Sequence, residues 1–185
     1  MNVLIYCMDY KMIDADKCRI THYPADVLGK VAMPIEKIDD DIRRLADRMA
    51  DIMVENKGIG LAGPQAGVPL RIFIVSLDGT KEGVKVYINP TVVTNGDLET
   101  TEEGCLSAPG VSVRVRRYKT CRVTATGLDG KEFTDEAEGL YARCLQHEYD
   151  HIGGITIINR MSQTAKIANR RKLKKLIEEH EKGGK

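Results

Sequence analysis

The sequence predicts one domain built from helices and antiparallel strands, and three features carry that prediction. Short runs rich in β-branched residues are separated by Asn-Pro, Asn-Gly and Asp-Gly pairs. Three longer stretches place apolar residues at helical spacing. The length, 185 residues, is enough to bury one core without disulfides.

The elements follow in chain order. Residues 1–18 hold a short apolar piece, Val3 to Cys7, and then a polar stretch with Asp14 and Asp16; they show no helical stripe and receive no role. Over 39–55, Ile42, Leu45, Ala46, Met49, Ile52 and Met53 recur every three or four positions behind a cluster of aspartates. Those aspartates suit a cap and the positive end of the helix dipole, so an amphipathic helix is predicted. Gly58 is expected to close it in the left-handed conformation.

Strands are expected at 71–77, 85–88, 91–94, 112–115 and 119–126, with breaks at Asn89-Pro90, Asn95-Gly96 and Asp129-Gly130. A second helix spans 138–151, where Leu140, Cys144, Glu148 or His147, and His151 fall one turn apart before Gly153-Gly154. A third runs from Gln163 to about Ile177 on a stripe of Ile167, Leu173, Leu176 and Ile177. Its tail, with Glu178, Glu179 and Glu181 ahead of Gly183-Gly184, is expected to fray, because negative charge opposes the dipole at that end.

Composition narrows the function. Lysine and arginine number 28 against 27 acidic residues, so no global field attracts nucleic acid or anionic lipid. Five cysteines, an odd number in a chain this long, suit a reducing cytoplasm rather than a disulfide scaffold. No apolar run approaches the roughly 20 residues that span a bilayer, and Asp9, Asp14, Asp16 and Asp26 occupy the region where a secretory signal would be basic and then hydrophobic.

The strongest chemical signal is His147-Glu148-Tyr149-Asp150-His151. Four residues apart on a helix, two imidazoles share a face and reach one ion, with Glu148 beside them as a candidate base. The chain has four histidines in all, which makes this pairing hard to assign to chance. The plainer reading is a helix whose histidines face solvent. A catalytic site needs a third protein ligand. Cys105, in Glu103-Gly104-Cys105-Leu106-Ser107, is the nominee, with Cys144 as the local competitor and as a small apolar wall in the alternative.

Three segments, Gly58-Ile59-Gly60-Leu61-Ala62-Gly63-Pro64-Gln65, Glu103-Gly104-Cys105-Leu106-Ser107 and Gln146-His147-Glu148-Tyr149-Asp150-His151, resemble the peptide deformylase family in content and order. The resemblance covers roughly residues 27–162 and includes Asn89-Pro90 and 139–143. It departs at Gly63, where alanine is usual, at Gly153, where a polar residue often stands, and at Asn159, where aspartate commonly precedes Arg160. Residues 1–18 precede the usual family start and are read as an N-terminal extension.

The resemblance implies an α+β architecture: antiparallel β-sheets around a central metal-binding helix, with the N-terminal-half helix and the C-terminal helix outside. It implies Cys105, His147 and His151 as ligands of one divalent metal ion, typically Fe2+, with Zn2+, Ni2+ or Co2+ as substitutes. It implies hydrolysis of the formyl group from the N-terminal formylmethionine of nascent chains, with Glu148 as the base and Gln65 and the Leu106 amide as oxyanion donors.

Ile59 and Gly60 are expected to pair with the peptide, and Leu140, Arg143 and Cys144 to line the methionine slot; Glu103 and Gly104 border the same site. Two other readings stay open on residues alone, a zinc endopeptidase and a non-enzymatic binding module whose closed metal site would recruit Cys144. The basic run Arg170, Arg171, Lys172, Lys174 and Lys175 is either a weak ribosome contact or a solvated face, and neighbouring glutamates favour the latter.

Overall fold

The computed structural model describes residues 13–183; the apolar piece Val3 to Cys7 lies outside them. Helix α1 (Asp40–Glu55) starts where the Asp39 side chain accepts from the backbone N–H groups of Asp41 and Ile42. Its apolar stripe is buried throughout. The left-handed residue at its end is Lys57 (φ 56°), not Gly58, and the Gly58 N–H reaches back to the Met53 carbonyl. Gly58 is required for another reason: a Cβ there would lie 2.7 Å from Leu106 Cδ1.

Strands β1 (Gly60–Ala62), β2 (Ile72–Val75), β3 (Lys85–Gly104), β4 (Ser112–Thr126) and β5 (Glu132–Glu138) form one antiparallel sheet in sequence order. All four residues of β2 are buried, because the sheet is covered on both faces at this point. Ile72 and Ile74 pack towards α1 with Leu61 and Ile88. Phe73 and Val75 pack the other way, with Tyr87, Val123 and helix α2 (Gly139–Ile152). The metal-motif helix therefore lies against the sheet on the face opposite α1.

Asn89-Pro90 and Asn95-Gly96 do not end strands. Each falls where the β3–β4 pairing gains one residue on β3, between Ile88 and Thr91 and between Asn95 and Leu98. Asn89 takes φ 50° and its side-chain amide bonds both the N–H and the carbonyl of Ile35, so the disruption is satisfied locally. The resulting ribbon carries Glu103 and Gly104 to the far end of β3, beside α2.

Helix α3 (Gln163–Gly183) packs Leu173 and Leu176 on Val113, Val115 and Met161. It continues through Glu178, Glu179 and Glu181 instead of fraying. Lys174–Glu178 and Lys175–Glu179 pairs at i,i+4, together with His180 and Lys182 in the last turn, offset the acidic charge that opposes the dipole. No helix among the described residues is long and apolar enough to cross a membrane.

Candidate metal centre and its cavity

Cys105 follows β3 directly, while His147 and His151 project from successive turns of α2. Their ligand atoms all lie within 4.8 Å of one another. The two rings stand with centroids 5.0 Å apart at 70°, and Cys105 Sγ is 3.3 Å from His151 Nε2. A tetrahedral ion with metal–sulfur and metal–nitrogen bonds of about 2.3 and 2.1 Å needs a sulfur–nitrogen edge of about 3.6 Å. The observed spacing is close to that edge, so the donor set fits a single ion.

Charge supports the same fit. Burial works against an imidazolium at His147, yet Cys105, Glu103 and Glu148 hold its pKa well above the ordinary histidine range. This spot favours positive charge, which a divalent cation would supply in place of a proton. Burial, reinforced by His147 and Arg117, lowers His151 well below the ordinary range and keeps that ring neutral, as a ligand must be.

Glu148 is buried, 3% exposed, and its Oε2 has no hydrogen-bond partner. Burial raises its pKa to about 7, with Glu103 and Asp150 adding to the rise and His147 and Arg117 opposing it. Gly60 makes room for this carboxylate: a Cβ there would sit 2.5 Å from Glu148 Oε1 and 2.9 Å from Cys144 Sγ. Gln65, in the 3₁₀ turn Gly63–Ala66, accepts the Ala62 N–H on Oε1 at 2.8 Å. That bond fixes the amide orientation and aims Nε2 at Cys105 Sγ, 3.4 Å away.

These groups open onto a cavity of about 610 Å3 whose walls include Ile59, Gly60, Leu106, Leu140, Arg143 and Cys144. Leu140 is half exposed at its rim. Arg143 is ion-paired to Glu99 at 3.3 Å, and the Cys144 thiol donates to the Ile59 carbonyl at 3.6 Å. Glu103 and Gly104 line the cavity too, but the Glu103 carboxylate is already engaged. Oε2 lies 3.0 Å from His147 Nδ1, and both oxygens accept from Arg117. Burial pushes Glu103 up, but His147 and Arg117 outweigh it and bring its pKa down to about 2.

Arg117 and Asp150 were not singled out by the motifs. The available signal was alternation, since Arg117 is in phase with the inward-facing Val113 and Val115 of β4.

The family profile for polypeptide deformylase matches residues 17–166. A peptide deformylase of Neisseria gonorrhoeae is 42% identical over 156 residues, covering 84% of this chain and 93% of that one. One from Brucella suis is 40% identical, covering 83% and 89%. Among solved structures, a peptide deformylase from Legionella pneumophila superposes with TM-score 0.82 at 37% identity, covering 88% of this chain and 96% of that one. One from Plasmodium falciparum gives 0.84 at 32% identity, covering 88% and 97%. With the profile spanning most of its length and relatives of this identity matching nearly end to end, the chain belongs to the polypeptide deformylase family.

Proposed function

We propose that the chain hydrolyses the formyl group from the N-terminal formylmethionine of nascent polypeptides, releasing formate and a free amine. The observation that carries this reading is the buried Glu148 carboxylate, with one unpartnered oxygen, beside three convergent S/N donors at the head of a cavity. Cys105, His147 and His151 would hold the ion. Thiolate and imidazole donors suit Fe2+ and also accept Zn2+, Ni2+ or Co2+, with Fe2+ the physiological choice by family resemblance. A bound divalent ion supplies a Lewis acid and a water acidified towards neutrality.

Glu148 takes the proton from the attacking water and returns it to the nitrogen as the formyl C–N bond breaks, so the amine leaves neutral. A pKa of about 7 suits both roles. Gln65 Nε2 and the Leu106 N–H donate to the formyl oxygen as negative charge gathers there. Because Gln65 is held by the Ala62 N–H, its donor is set before substrate arrives.

Strand β1 lies at the edge of the sheet, so an extended peptide can add beside Ile59 and Gly60. The methionine side chain then enters between Leu140, Cys144 and the stem of Arg143. Cys144, turned to the Ile59 carbonyl, stays outside the ligand group, which speaks against a closed four-ligand structural site.

The described residues act as one catalytic unit, and the free thiols Cys18, Cys105, Cys121 and Cys144 suit a reducing cytoplasm. Two lysines of the basic run on α3 are paired to Glu178 and Glu179, which supports a solvated face over a ribosome contact.

The test is anaerobic formate release from a formylmethionyl peptide by iron-loaded protein, set against Glu148→Ala. Rapid turnover, lost in a variant that still binds metal, is expected. No release, or cleavage of unformylated internal peptide bonds instead, would overturn the assignment.

A further inference from the structure

Behind His147 a string of ionic groups runs away from the cavity through four parts of the fold. His147 Nδ1, on α2, faces Glu103 Oε2 at the end of β3, 3.0 Å away. Arg117, on β4, grips that carboxylate with both arms of its fork: Nε to Oε1 at 2.6 Å and Nη2 to Oε2 at 3.0 Å. Its remaining Nη1 donates to Asp150 Oδ2 at 2.9 Å, back on α2. Asp150 in turn accepts from Arg160, which lies beyond α2. Arg117 is 5% exposed, and Glu103 and Asp150 are nearly as enclosed.

Stability is a poor reason for such a string, because buried ion pairs lose about as much in desolvation as they gain, and apolar replacements are often neutral. Orientation is a better one. A carboxylate only accepts, so a neutral His147 facing Glu103 must carry its proton on Nδ1, which leaves the Nε2 lone pair to face Cys105 and His151. Glu103 can impose this only if it is held still. Arg117 holds both of its oxygens, and the rigid fork cannot turn while Nη1 is tied to Asp150.

We propose that Arg117 is a positioning residue for the metal centre: through Glu103 it fixes the ring and tautomer of His147, and it thereby sets metal affinity without touching substrate. Arg160 anchors the outer end of the string. The inference rests on Cys105, His147 and His151 being the metal ligands.

The test measures Co2+ and Zn2+ dissociation constants by chelator competition for the unsubstituted chain, Arg117→Met, Arg117→Lys and the more exposed Arg160→Met. The 15N resonances of the neutral ring in the metal-free protein report the His147 tautomer. Losing an outer partner of this kind typically weakens metal binding 10–100-fold. Arg117→Met is expected in that range, with mixed ring tautomers; Arg117→Lys, a point charge without the fork, recovers part of the loss. Arg160→Met, which leaves Arg117 in place, is expected to weaken binding a few-fold.

Asp135→Asn, remote from the string, serves as a control for a general loss of stability. Dissociation constants within twofold of the unsubstituted chain in every string variant, with Nδ1–H retained, would overturn the proposal while leaving the metal site intact. So would an equal weakening in Asp135→Asn. An unsubstituted chain that binds neither ion would overturn the metal site itself, and the proposal with it.

Discussion

Replacing Gly60 by alanine puts a methyl carbon 2.5 Å from Glu148 Oε1 and 2.9 Å from both Glu148 Cδ and Cys144 Sγ. Ordinary contact begins near 3.4 Å, so the carboxylate must retreat by roughly 0.9 Å. It cannot do so freely, because Glu148 is buried on a helix packed against the sheet. Gly60 is not among the positive-φ glycines, so backbone strain plays no part and the whole effect is steric. Overpacking of this sort costs about 1–3 kcal/mol in stability. A misplacement of about 1 Å at a reacting group costs roughly a hundredfold in rate.

The expected result for Gly60→Ala is therefore a fall of about a hundredfold in kcat/KM for formate release, with metal content preserved, since the three atoms nearest the added methyl belong to Glu148 and Cys144. Gly104→Ala is the matched comparison. It lines the same cavity, but its Cβ would meet nothing closer than the Val111 carbonyl oxygen at 3.9 Å, so its melting temperature should be unchanged. A Gly60→Ala protein with full metal content and kcat/KM within threefold of the parent would refute the view that this glycine exists to seat Glu148.

Gln65→Ala removes a preset donor worth about 3 kcal/mol, so kcat should drop a hundredfold or more with metal content intact; an unchanged rate would remove Gln65 from the oxyanion site. Asp135 accepts from Lys85, Tyr87 and Tyr141, and these bonds outweigh burial and lower its pKa. Its contribution to stability is thus present above the unfolded-state pKa of about 3.9 and is lost as pH falls through the lower folded value. The gap in melting temperature between parent and Asp135→Asn should be open at pH 6 and close below pH 4, and a gap independent of pH would contradict this. Gly154 has φ 72° and its Cβ would lie 2.8 Å from the Gly29 carbonyl oxygen, so Gly154→Ala should destabilise by about 2 kcal/mol or more, read as a lower midpoint in urea. Gly153→Ala, whose nearest contact would be 3.2 Å at the end of its own helix, should lose much less.

What could be read from the sequence was what is local in it. The stripe of α1, the Asp39 cap and the one-turn spacing of His147 and His151 depend on neighbours within a few residues. Strand β5, by contrast, is Glu-Phe-Thr-Asp-Glu-Ala-Glu, with Ala137 alone buried. Its extended form comes from pairing with β4, which no local propensity announces. Strand β1 is three residues long inside a glycine-rich connection, and its identity depends on β2 beside it.

The turn pairs in β3 misled because Asn-Pro and Asn-Gly serve bulges as well as turns. Likewise the proposed ligands and Glu148 sit in compact motifs, whereas the hold on Glu103 comes from an arginine in a basic-looking stretch of β4. Alternation with Val113 and Val115 turns this arginine inward, but the pairing of Glu103 with Val113 and Glu99 with Arg117 is what brings it to Glu103.

The second bulge of β3 has a consequence for how the chain tolerates changes of length. Between the two bulges the residues of β3 that share a face with the inward side of β4 are even-numbered, such as Val92 opposite Val123; beyond Leu98 they are odd-numbered, such as Thr101 opposite Val115. The extra residue around Gly96 shifts that phase and makes Glu103, not Glu102, the carboxylate beside His147. A one-residue deletion at Gly96 or Asp97 can therefore be absorbed by closing the ladder over the gap, with every later pair unchanged. The same deletion between Leu98 and Glu103 can close the bulge only by turning over the residues between it and the gap, so that Leu98 changes face. The ribbon thus carries its own adjustable joint, and variation in length can be taken up there without re-indexing the site.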